Sequence, residues 1–177
     1  MIIAPCPFYL LSVEGDMGVY VRIVTEKINI EELIAKVESA DHGAIDLFIG
    51  TVRNHHHGKD VLGITYDVHE TLAEKLFKEI CEEASGIWPD TDYAVIHYKG
   101  ELPVSGISIV IAVSSPHRAE SFEACRYVIE EIKRQAPVWK QEHYLDGKSD
   151  WLPGHSLRHE GKHTNTCCGQ CCGGKHA

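Results

Sequence analysis

The sequence predicts an α+β domain with helices packed on a mostly antiparallel sheet. Three observations carry that expectation. Runs rich in β-branched and aromatic residues, alternating with period two, recur between turns that contain Gly and Pro. Two longer stretches repeat apolar residues every three to four positions, the period of a helix that packs one face. The predicted order is β-β-α-β-β-α-β. At 177 residues the chain is long enough for one such domain with its own core, since a domain usually takes about 100 to 200 residues.

Taken in order, residues 1–20 show no clean period and read as an N-terminal extension, with Met17 a candidate native start. The run MGVYVRIV is strand-like, and Asn29 to Glu32 form an acidic helix start. GAIDLFIGTVRN (43–54) and LGITYDVH (62–69) are β-rich on either side of a polar HHHGKD. They predict a hairpin that leaves His55, His56 and His57 in an exposed loop. Residues 71–84 form a helix whose Leu72, Leu76, Ile80 and Ala84 face the sheet. Strands follow at 92–100 and 107–115, joined by a Gly- and Pro-containing turn. SSPHRAESFEACRYVIEEIKRQAPVWKQE (114–142) holds the second long helix, with Ser115 as N-cap, Pro116 as first helical residue and Pro137 as its stop. VWKQEHYL then returns as a strand, closing a domain over 21–152. Residues 153–177 are dense in Gly, His and Cys without an apolar period, and read as a tail.

Composition excludes several classes. No apolar run approaches the roughly 18 to 20 residues that span a bilayer, and FYLLSV near the start has no preceding Lys or Arg to make it an export signal. A formal net charge of -9 argues against an extended nucleic-acid surface, so any cationic site is local. Cys6, Cys81 and Cys125 are scattered and the other four cysteines crowd the tail, which is not a disulfide framework and predicts a reducing cytoplasm.

Clustered cations are therefore informative. His117 and Arg118 sit in the first turn of the second helix, where cations oppose the macrodipole; unpaired N–H groups beside a His and an Arg could cradle a phosphate or carboxylate. The alternative is a helix that starts later and leaves both in a solvated turn. Phe122, Cys125, Val128, Ile129 and Ile132 form an apolar stripe, with Lys133 at its border about 20° from Phe122 and Arg126 nearby. Such a lysine either has its pKa lowered by apolar and cationic neighbours, or snorkels with its ammonium in water. On the following strand, alternation groups Val138, Lys140 and Glu142, so a second amine can return toward the same place. Arg53 ends the GTVRN strand and could reach over the sheet edge.

GAIDLFIGTVRN, IHYKGEL with Gly106, the 114–142 segment and Trp151 together resemble the large catalytic subunit of molybdopterin synthase, over about residues 21–152. The combination is far more specific than any one piece. The resemblance implies an α/β-hammerhead fold and a homodimer of large subunits. Each would hold a small ubiquitin-like sulfur carrier whose C-terminal Gly-Gly ends in a thiocarboxylate, giving a heterotetramer. The implied reaction adds two sulfurs to cyclic pyranopterin monophosphate, forming the molybdopterin dithiolene, with no resident cofactor or metal. Carried over by position, Arg53 with its neighbours Thr51 and Val52, together with His117 and Arg118, would hold the substrate; Lys133 would be the main catalytic lysine; and Lys140, catalytic as well, would line the pocket with Gln141 and Glu142. Cys125 is then core filler, because the sulfur arrives on the partner. His69 and Leu72 stand where the family has a Tyr and then a Met. Arg158 in the tail would be the residue reaching a neighbouring subunit's site.

Two other readings belong to different classes. Cys167, Cys168, Cys171 and Cys172, with His155, His159, His163 and His176 nearby, suit a Zn²⁺ or Cu⁺ module, although a structural zinc site usually shows two separated pairs. A scaffold that docks a ubiquitin-like protein without chemistry is the second.

Overall fold

Strand β5 (Asp92–Tyr98) and strand β7 (Ile107–Ser115) read as nearly unbroken apolar runs because each is covered on both faces. In the computed structural model, which describes residues 18–147 and 149–152, they form the centre of a four-stranded sheet. Strand β1 (Val19–Val24) pairs parallel to β5, and strand β2 (Ala44–Thr51) pairs antiparallel to β7 as the far edge. The first strand thus begins inside the stretch expected to be extension. Helices α2 (Glu70–Ile87) and α3 (Arg118–Gln135) cover one face, burying Phe77, Val128 and Ile129 against Tyr93, Val95, Ile111 and Val113. The short helix α1 (Ile30–Ala35), capped by Asn29, covers the other with Leu33, against Ala94, Val110 and Ala112. Each such fully buried large side chain contributes roughly 1.5–3 kcal/mol.

A second, five-stranded sheet stands beside the first. It comprises β3 (His55–His56), β4 (Lys59–Val68), β6 (Gly100–Pro103), β8 (Val138–Tyr144) and β9 (Ser149–Leu152), with every pairing antiparallel. The α+β class and the mostly antiparallel pairing match the sequence reading, with β1 against β5 as the parallel exception. Tyr66 packs against the large core under α2 and α3 and also against a small cluster around Val52, Val61, Ile64 and Tyr144, so it joins the two sheets.

Four local expectations are corrected. Residues 43–54 and 62–69 do not pair with each other: β2 joins β7, and β4 joins β8 and β6. The ladder of β2 is irregular between Gly50 and Thr51, and Val52 then turns into the second core. The hairpin present is the small β3–β4 one, turned by His57 and Gly58 at φ 46 and 76, the left-handed pair a two-residue turn requires. Along α2 the expected Ile80 and Ala84 are buried and Leu76 packs partly buried against the core, but Leu72 is exposed and Ala73, Phe77 and Cys81 complete the buried face. Helix α3 starts later than Ser115: its N-cap is His117, and Ser115 instead donates from Oγ to the His117 carbonyl at 2.6 Å. Phe122 is 57% exposed, and Ala124 occupies the buried face with Cys125, Val128, Ile129 and Ile132.

Candidate active site

Where the C-terminal end of α3 meets the gap between the sheets, a cleft of about 460 Å³ opens. Its walls are apolar, built by Phe48, Ile109, Ile129, Ile132 and Val138, because α3 and the strands beside it turn their core faces toward each other there. Its rim is cationic. Arg53 comes from the turn after β2, Lys133 from the last helical turn and Lys140 from β8, with Thr51 beside Arg53. Three of the predicted cations therefore converge from three separate segments.

The lysines are held differently. Lys133 Nζ lies 5.7 Å over the Phe48 ring, its stem along the apolar wall and the residue exposed, the snorkelling geometry. Lys140 Nζ donates to Glu142 Oε1 at 3.1 Å. Among the described residues, Arg53 and Lys133 form no ion pair. An incoming anion meets two uncompensated cations and one anchored one.

Glu142 is 2% exposed and is not among the side chains that line the cleft; it accepts from Lys140 behind it. Its second oxygen accepts from the Tyr144 hydroxyl and lies 2.8 Å from His56 Nδ1. Burial pushes its pKa up, but bonds from Tyr144 and Lys140 and the charges of Lys140 and His56 win, leaving the carboxyl below the ordinary glutamate range. His56, expected in an exposed loop, is thus an internal partner of the site.

Other expected residues lie elsewhere. Val52 is 2% exposed in the second core, and its N–H and carbonyl are bonded to Gly106 and Ser105, so it offers the cleft no side chain. Gln141 points to the opposite face of β8 and donates to Ser149 Oγ. His117 and Arg118 stand at the far end of α3, with Arg118 about 22 Å from Lys133 along the axis at 1.5 Å per residue; within one chain they do not meet the cleft. Cys125 is buried; burial first, and then Asp46, push its thiol far above the ordinary range, consistent with core filler. Arg158 and the tail cysteines and histidines lie outside the described residues. Among the described ones, no group of three or more His, Cys, Asp or Glu could hold a metal, and no helix is long and apolar enough to cross a membrane.

Three cleft residues were missed by sequence reasoning. Tyr66, His97 and Ser108 form a polar floor under the apolar walls. The signal for His97 was present: it is the polar residue in DYAVIHY and shares a face with Tyr93 and Val95.

The family model described as MoaE protein matches residues 23–135. The chain belongs to the MoaE family. Among MoaE relatives, molybdopterin synthase catalytic subunit 1 of Aedes aegypti is 42% identical over 135 residues, covering 75% of this chain and 87% of the relative. The molybdopterin synthase catalytic subunit of Halalkalibacterium halodurans is 43% identical over 126 residues, covering 71% and 81%. Of solved structures, molybdopterin synthase from Staphylococcus aureus aligns with a TM-score of 0.72 at 36% identity, over 75% of this chain and 96% of that one. The complex of subunits 1 and 2 of molybdopterin-converting factor from Helicobacter pylori shares the fold, with a TM-score of 0.61 at 21% identity over 75% and 89%.

Proposed function

We propose that this chain is the catalytic subunit of a molybdopterin synthase, a sulfurtransferase acting on cyclic pyranopterin monophosphate in the cytoplasm. Its partner is a small ubiquitin-like carrier whose C-terminal Gly-Gly ends in a thiocarboxylate. The observation that carries this reading is the convergence of Arg53, Lys133 and Lys140 on one apolar cleft in a chain of net charge -9. A phosphorylated heterocycle and a thiocarboxylate tail both need cations at the mouth and dry walls behind. The carrier's sulfur attacks a side-chain carbon of the pterin and forms a carrier-linked thioester as a C–O bond of that carbon breaks, the oxygen leaving with the electron pair as a phosphate ester oxygen or, once protonated, as water. Water then cleaves the acyl–sulfur bond, leaving the thiol on the pterin and a carboxylate on the carrier. A second carrier repeats the step. Lys133 transfers protons and stabilises the charge that develops.

His117 and Arg118 enter through a homodimer, in which the α3 start of one copy completes the other's cleft. The buried, free thiols of Cys81 and Cys125 fit a reducing compartment and a reaction whose sulfur comes from the carrier.

The test mixes the purified chain with thiocarboxylated carrier and cyclic pyranopterin and measures dithiolene product. Lys133→Ala should lower the rate by about 10²- to 10⁴-fold with carrier binding retained. Product formation by the variant at the wild-type rate would rule out this role for the lysine.

A further inference from the structure

His97 is 5% exposed on β5, its ring set edge-on to Tyr66 at 5.3 Å between centroids, with Phe77 at 6.4 Å on another side. Its Nδ1 lies 2.8 Å from the Tyr98 carbonyl oxygen. A carbonyl can only accept, so Nδ1 carries the proton and Nε2 is left with a bare lone pair. Burial outweighs that backbone bond and pushes the pKa down to about 4, so the ring is neutral at physiological pH. Among the described residues no hydrogen bond reaches Nε2. Nor is it sealed in, because the one fully enclosed side-chain polar atom without a partner among those residues is Glu120 Oε2. His97 is one of the side chains that line the cleft.

Ser108, beside it in the floor, has committed its hydrogen. Its Oγ donates to the Gly50 carbonyl at 3.2 Å, so the oxygen is left to accept. His97 and Ser108 therefore present lone pairs at the floor, and the rim, with Arg53, Lys133 and Lys140, presents donors and positive charge. Such a cleft sorts the two ends of a ligand. An anionic end is held at the rim and repelled by the floor; a heterocycle bearing N–H groups is accepted at the floor, where an unmet buried acceptor would otherwise cost free energy.

We propose that the Nε2 lone pair of His97 accepts a ring N–H of the pterin at the cleft floor and so fixes which end of the substrate enters first. This rests on the function proposed above and deepens it, giving a neutral imidazole the orienting role while the lysines keep the chemistry. No proton is transferred to His97.

The test reads the ring directly. In full-length chain with nitrogen-15-labelled histidine, the Nε2 resonance of His97, assigned by its loss in His97→Gln, should shift toward hydrogen-bonded values on saturation with cyclic pyranopterin monophosphate. Inorganic phosphate, which can occupy only the rim, should leave it in place. His97→Phe keeps a ring between Tyr66 and Phe77 but has no acceptor; it should raise the pterin Kd about tenfold with carrier affinity unchanged, and His97→Gln, which offers an amide oxygen, should recover most of the loss. An unmoved Nε2 in a chain that binds pterin and makes dithiolene, or an unchanged Kd in folded His97→Phe, overturns this inference alone. A wild-type chain that binds no pterin overturns the functional reading and this inference together. Should His97→Phe fail to fold, the wild-type resonance still decides.

Discussion

Glu142 holds Lys140 without lining the cleft itself. Its two oxygens engage Lys140, His56 and Tyr144, and at 2% exposure an uncompensated carboxylate there would be costly. Glu142→Gln keeps the shape and removes the charge, so it should destabilise the fold by about 1–3 kcal/mol in urea unfolding and loosen Lys140. The pH dependence follows from its depressed pKa. Such a group's contribution is fully present above the unfolded glutamate value and is lost as pH falls through the folded one. The stability gap between wild type and Glu142→Gln should therefore shrink in acid, and a gap independent of pH would show that the charge does not hold the network. Charge made the rim legible in sequence: lysines beside an apolar stripe, in an acidic chain, are conspicuous. His97 was less so, since one imidazole in an apolar strand reads equally as a satisfied core residue until its second nitrogen is located.

Helix α3 shows a cost accepted within an element. Its N-cap, His117, makes no side-chain bond to the first turn, and Arg118 puts a cation against the dipole with Glu120 as the acidic counterweight. His117→Asp supplies a capping oxygen and a negative charge, so it should stabilise the fold by about 1 kcal/mol, seen as a higher urea midpoint, and lower dithiolene formation. A variant more stable and equally active would remove His117 from the site. The same helix marks how far pattern reading goes. Its existence, its Pro137 stop and most of its buried stripe were legible from period alone. Its start was not, because Ser-Pro satisfies capping preferences whether or not the chain is already helical, and here Ser115 bonds forward to the His117 carbonyl. Strand pairing was the least legible: the two β-rich runs flanking HHHGKD satisfy hairpin chemistry locally, and only the burial of Val52 and the irregularity at Gly50 and Thr51 send them to different sheets.

At the scale of the whole molecule, the decisive fact is a separation. Arg53, Lys133 and Lys140 share one cleft, and His117 and Arg118 lie at the other end of an 18-residue helix, too far to join them inside one chain. The proposed homodimer would resolve this, because symmetry that brings one helix start to the other copy's cleft does so twice. Every site of such a dimer would take its lysines from one copy and its anion-binding pair, His117 and Arg118, from the other. Lys133→Ala and Arg118→Ala should each be nearly inactive alone. Unfolded and refolded together in equal amounts, half of the dimers are hybrids, and each hybrid holds one site with Lys133 from one chain and Arg118 from its mate. Activity should return to about a quarter of the wild-type level. If both groups acted within a single chain, every site in the mixture would lack one of them and activity would stay at the level of the separate variants.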